Sequence, residues 1–105
     1  MQPHDFWQRI EPASAAAPAP WSDRYPAALP DGQALHLPIR PLAGTDHAIA
    51  SLILNQASFK VESALSDALA EALQPFRPEI ICGLPTLGLP LARAAAERLG
   101  HPRYA

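Results

Sequence analysis

The chain of 105 residues holds a single cysteine, Cys82, so it can form neither an internal disulfide nor a cysteine-rich metal site. Charge is sparse and balanced: 8 basic residues stand against 10 acidic ones, for a formal net charge of -2. With no dense positive stripe to neutralise a phosphate backbone, the composition argues against nucleic acid as a partner. No run approaches the roughly 20 apolar residues that a membrane span needs. The opening Met1-Gln2-Pro3-His4-Asp5-Phe6 has neither the basic nor the apolar block of a secretory leader. A cytoplasmic protein without membrane contact is the expectation. The length has room for one domain at most. A hydrophobic content of 49% is ordinary for a chain that packs. Within Ile80-Ile81-Cys82 the lone cysteine is expected to be a small buried hydrophobe rather than a reactive thiol.

What the chain has in abundance is proline, 13 residues, and their positions divide it into segments. Glu11 to Pro20 reads Glu-Pro-Ala-Ser-Ala-Ala-Ala-Pro-Ala-Pro and carries no large apolar side chain. Residues 1–20 are accordingly expected to be a flexible, mostly extended tail, flanked by Trp7 and Trp21, with the domain spanning 21–105. Pro30-Asp31-Gly32 separates two short apolar stretches and predicts a hairpin turn, because Pro presets one φ and Gly permits a positive one. Beyond it Leu35, Leu37 and Ile39 alternate with His36, Pro38 and Arg40, the period of a strand with one buried face. Since Pro38 has no N–H to give to a ladder, that strand is expected at a sheet edge.

Two amphipathic helices are predicted next. The first starts near Asp46 and gathers Ile49, Leu52, Ile53 and Gln56 on one face. The second has Val61, Ala64, Leu65, Ala68, Leu69, Ala72 and Leu73 on its stripe, with Glu62, Ser63, Ser66, Asp67 and Glu71 opposite. Pro75 and Pro78 end it. Glu79-Ile80-Ile81-Cys82 then has the apolar, β-branched character of a buried central strand. Gly83-Leu84-Pro85-Thr86-Leu87-Gly88 forms a loop, and Leu89 to Leu99 a helix with Ala92, Ala95, Ala96 and Leu99 on its packing face and Arg93 and Glu97 paired outside. Gly100 followed by Pro102 stops it.

A loop at the carboxyl end of a strand, opening a helix, is where open α/β folds bind ligands. Pro90 is expected at the first helical position with Leu89 as the cap, and leucine has no side-chain acceptor for the free amides of the first turn. An anion would satisfy those amides, assisted by the helix dipole; water would satisfy them too, and the local pattern favours neither. Gly83 and Gly88 have the spacing of a Walker loop, but Leu89 and Pro90 stand where it needs Lys and Ser or Thr. A dinucleotide fingerprint would need a third glycine in the loop and an acidic residue on the following strand, and neither is visible.

The run Pro78 to Ala92, continuing through Leu99-Gly100-His101-Pro102-Arg103-Tyr104, is similar to the strand, pyrophosphate loop and helix of type I phosphoribosyltransferases. Leu37-Pro38-Ile39-Arg40 and Ala50 to Phe59 resemble the N-terminal part of one bacterial branch of that family. The resemblance covers roughly residues 21–105, and Leu-Pro-Thr-Leu-Gly is its most specific part. It implies an α/β chain with a partial phosphoribosyltransferase-like (Rossmann-like) fold: an N-terminal hairpin, two amphipathic helices, then strand, loop and helix. It also implies transfer of ribose 5-phosphate from phosphoribosyl pyrophosphate to a nitrogen base, with magnesium (Mg2+) on the pyrophosphate. The site residues carried over are Leu84, Pro85, Thr86, Leu87 and Gly88, acting through main-chain contacts to pyrophosphate. A cis or strained peptide often accompanies that role, and Leu84-Pro85 is the bond expected to supply it.

The family's second signature, an adjacent acidic pair followed by a Gly- and Thr-rich loop, has no counterpart. The aspartates are Asp5, Asp23, Asp31, Asp46 and Asp67, all before the loop. The expectation is therefore an incomplete domain that is inactive as a transferase. The alternative is a non-catalytic α/β fragment whose strand edges associate, as a homodimer or with a partner. Among single residues, Thr86 is the best side-chain candidate, as anion contact or helix cap. His36 and His47 have no partner at metal spacing and are expected at the surface or a strand edge. His101 sits at a helix exit, Arg40 and Lys60 read as solvated cations, and Asn55-Gln56 as a structural pair.

Overall fold

The computed structural model describes residues 9–105. It is a mixed α/β chain with a four-stranded antiparallel sheet and two α-helices, in two compact units, one through Val61 and one from Glu62 to Ala105. No described helix is long and apolar enough to cross a membrane.

The first unit is built on one long strand. β1 (Ile10–Pro12), β2 (Arg24–Ala28), β3 (Gln33–Pro41) and β4 (Ala48–Ala50) all run antiparallel to their neighbours, and β1, β2 and β4 each pair with β3. The predicted hairpin joins β2 to β3: the Gly32 amide donates to Leu29 O at 3.2 Å, Gly32 takes φ +83°, and Asp31 Oδ1 accepts from the Gln33 amide at 3.1 Å. This is a turn closed by a left-handed glycine, the geometry that three-residue hairpin loops favour.

β3 is central, not an edge, and the prolines show how that is allowed. In an antiparallel ladder the N–H and C=O of one residue point to the same side, and the side alternates along the strand. The Ile39 amide donates to Asp23 O, so odd positions of β3 face β2. The His36 amide donates to Arg9 O and Pro38 O accepts from the Ser51 amide, so even positions face β1 and β4, which share the other edge end to end. Pro38 thus lacks its donor at the junction between two short partner strands. Pro26 pairs with His36, where the missing donor would face away from β3.

Burial along β3 also differs from the expected alternation. Ala34, His36 and Pro38 are buried with Leu35, whereas Leu37 and Ile39 are half-buried. His36 is 2% exposed, and its Nε2 lies 2.6 Å from Glu11 Oε1. Glu11 belongs to the segment assigned by sequence to a tail; residues 10–12 are instead a strand of the sheet. Trp21 is held locally, its indole N–H donating to Ala17 O and its ring meeting Tyr25 edge-on at 4.9 Å. Trp7 lies outside the described residues.

The first predicted helix does not form. Gly44 takes φ +77°, the Leu42 amide donates to His47 O, and Ala48–Ala50 becomes β4. Three apolar positions and a glutamine are too short a stripe for a self-sustaining helix, while the edge of β3 offers backbone partners directly. Asn55 and Gln56, read from sequence as a structural pair, lie exposed in a 3-10 turn.

The second predicted helix is α1 (Phe59–Leu73), capped by Ser58 Oγ, which accepts from the Val61 amide at 3.2 Å. Its buried stripe is rotated from the predicted one: Ser66 is buried, with its hydroxyl donating to Glu62 O, while Ala72 is exposed. Arg77, at φ +47°, follows a 3-10 turn through Pro75 and ends the helical region. α2 (Leu89–Arg98) packs Ala92 and Ala96 on Ile81, with Leu73 and Leu99 alongside. Arg98 Nε donates to Asp67 Oδ1 at 2.5 Å and Nη2 to Ser63 Oγ, fastening the end of α2 to α1. Arg93 and Glu97 pair at 3.8 Å, both exposed, a contact worth little in water. At the C-terminus the His101 amide reaches Ala96 O at 2.9 Å and the Gly100 amide reaches Glu97 O at 3.1 Å, the paired bonds of a Schellman motif with Gly100 at φ +81°.

Nothing lies within 4 Å of a Cβ built on Gly100, so substitution there acts through the backbone alone. Gly100→Ala is expected to lower stability by about 1 kcal/mol, the usual cost of a left-handed alanine, seen in urea unfolding as a lower midpoint with an unchanged slope.

Candidate functional site

Glu79-Ile80-Ile81-Cys82 was expected as a buried central strand. It lies outside the antiparallel sheet and makes one parallel pairing instead: the Ala105 amide donates to Ile81 O at 2.9 Å and the Gly83 amide donates to Ala105 O at 2.8 Å, setting Ala105 opposite Cys82. α2 lies between the two paired segments in the chain, and neither segment is a strand of the sheet. Ile81 points to α2; by alternation Ile80 and Cys82 point away, and both are exposed, Ile80 at 60%. Cys82 is therefore a solvent-facing thiol, contrary to its apolar sequence setting.

The loop between that segment and α2 is shaped by its two glycines. A Cβ on Gly83 would sit 2.9 Å from Ala92 Cβ and 3.1 Å from Leu89 Cα, so the helix approaches the strand end as closely as two small residues permit. A Cβ on Gly88 would sit 2.7 Å from Leu84 O. That closeness accompanies the bond from the Gly88 amide to Leu84 O at 3.0 Å, which folds Leu84 to Gly88 into a closed turn. All five predicted site residues lie on it. Leu84 and Leu87 are 78% and 46% exposed, Pro85 and Thr86 are exposed, and Gly88 is half-buried. The cis peptide of the turn is Pro85–Thr86, one bond beyond the Leu84-Pro85 bond that sequence singled out.

Hydrogen bonding sorts the amides of the turn. Gly83, Gly88 and Leu89 donate to Ala105 O, Leu84 O and Thr86 O. Among the described residues the amides of Leu84, Thr86, Leu87 and Leu91 meet no acceptor of the chain, and Pro85 and Pro90 have none to offer. The cap of α2 is Gly88, not Leu89, and Pro90 occupies the second helical position. No side chain caps the helix, including Thr86, and no acidic residue lies in its first turn. Among the described residues no side chain offsets the positive end of the helix dipole beside these free donors.

Other candidates lie elsewhere. Arg40 Nη1 donates to Ser51 Oγ at 2.8 Å and secures the segment after β4, so it is no loose cation. His47 is exposed beside Asp46, Lys60 is exposed, and His101 serves the Schellman motif through its amide. His36, expected near the surface, is the most deeply buried ionisable side chain described, because Glu11 of β1 provides its partner. A cavity of about 540 Å3 opens at the opposite end of α2, lined by Asp67, Glu71, Arg77, Arg98 and His101. Its acidic and basic groups offset one another, with Arg98 bonded to Asp67, so it has no bias towards an anion. No group of three or more His, Cys, Asp or Glu among the described residues is placed to hold a metal ion.

Comparison of the chain with protein-family models, curated proteins and solved structures yields no match.

Gly88→Ala is expected to open the turn, because the added methyl cannot coexist with Leu84 O at 2.7 Å. In amide NMR spectra, resonances from Leu84 to Leu91 should shift while those from Ala95 to Leu99 stay in place.

Proposed function

We propose that the turn Leu84–Gly88 receives the pyrophosphate of phosphoribosyl pyrophosphate, as the leaving-group half of a phosphoribosyltransferase-like site. The observation that carries this reading is the set of unengaged amides at Thr86, Leu87 and Leu91, at a helix N-terminus without acidic side chains. Backbone donors at a helix start suit a phosphate group without help from lysine or arginine.

In the reaction so implied, the bond from ribose C1 to pyrophosphate oxygen breaks and a bond from C1 to the base nitrogen forms. The turn would accept charge that grows on the departing pyrophosphate, which is where fixed donors lower a barrier. Magnesium has no carboxylate cluster to bind among the described residues, so it would enter as a counter-ion of pyrophosphate. No adjacent acidic pair with a following Gly- and Thr-rich loop occurs in the 105 residues, so the proposal assigns them pyrophosphate binding and not the grip on ribose 5-phosphate. A cytoplasmic setting belongs to the same reading.

A second reading is favoured by the exposed face of the parallel pairing, where Ile80 and Cys82 lie open. Parallel strands normally bury both faces, and self-association as a homodimer would cover this one.

Titration calorimetry with pyrophosphate and with phosphoribosyl pyrophosphate, each with magnesium, separates the two. Binding at millimolar ligand or below, weakened at least about tenfold in Gly88→Ala, is the expected result for loss of one or two charge-assisted hydrogen bonds. Absence of heat together with a dimeric mass by light scattering would leave the association reading.

A further inference from the structure

We infer that β1 is a separately releasable strap, seated on β3 by the contact between Glu11 and His36. β1 has only three residues and pairs with β3 from Gln33 to Leu35, extended by the bond from the His36 amide to Arg9 O. Pro38 interrupts the donor row on that edge between β1 and β4, so neither strand continues the other's ladder. β1 is therefore not held by β4, and its opening need not unzip the β2–β3 hairpin, which uses the opposite edge.

The side chains supply the key. His36 Nε2 lies 2.6 Å from Glu11 Oε1, with His36 buried and Glu11 partly open to solvent. A carboxylate accepts only, so Nε2 carries the proton. The other ring nitrogen, Nδ1, is buried without a partner among the described residues. The ring thus has a single hydrogen bond with which to offset its burial, and that bond comes from β1. If Glu11 departs, a wholly unsatisfied imidazole remains, and bringing water to it requires the strand to lift. The connection to β2 can follow such a movement: Ala13 to Asp23 contains Pro18 and Pro20 and belongs to no strand.

Amide hydrogen exchange on the full chain tests this. In Glu11→Ala the His36 amide should exchange about 10- to 100-fold faster, the scale of a lost hydrogen bond to a charged group, while Leu37 and Ile39, which face β2, keep their protection. Glu11→Gln retains an acceptor for Nε2–H and should stay within a few-fold of the parent. The strap is refuted if His36 exchange is unchanged in Glu11→Ala, if Leu37 and Ile39 accelerate in proportion, or if Glu11→Gln is as loose as Glu11→Ala.

Discussion

The close seating of α2 on the strand end at Gly83 is the contact from which the candidate site follows. With Ala92 Cβ only 2.9 Å from where a Gly83 side chain would begin, the loop must turn within a few residues. Gly88 completes that turn by approaching Leu84 O. Two glycines and one alanine therefore determine which amides are spent inside the turn and which remain outside. The outward set lies at the start of a helix with no acidic side chain in its first turn, and the proposed anion site rests on that arrangement.

The first unit rests on a comparable backbone constraint, the alternation of hydrogen-bonding sides along β3. Pro26 occupies a position whose missing N–H faces away from β3, and Pro38 one at the junction between β1 and β4. The same alternation makes β1 and β4 independent occupants of one edge. Burying His36 beneath this arrangement costs free energy unless its ring is paired, and the pairing with Glu11 ties a Pro- and Ala-rich segment, weak in apolar side chains, to the sheet.

Local features were legible where the deciding contacts are a few residues apart. The hairpin at Pro30-Asp31-Gly32, the helix ended by Pro75, the alanine face of α2 and its stop at Gly100 all depend on near neighbours or on a single φ angle. The readings that failed depended on distant ones. His36 looked like a surface histidine because Glu11 is 25 positions away. Ile49 to Gln56 looked helical because the edge of β3 cannot be seen from within that stretch. Cys82 looked buried because three apolar residues in a row do not reveal that only one face of the strand end is covered.

By itself the sequence determined the chemistry of the candidate turn: its glycines, its lack of Lys and Ser or Thr after Gly88, and a helix start with no acidic side chain. Those properties belong to residue types and short spacings. Only the tertiary structure decided which amides of the turn are free, that the cis bond is Pro85–Thr86, and that β1 belongs to the sheet. Each of these depends on where a distant acceptor or strand edge comes to lie, and short-range preferences do not encode that position.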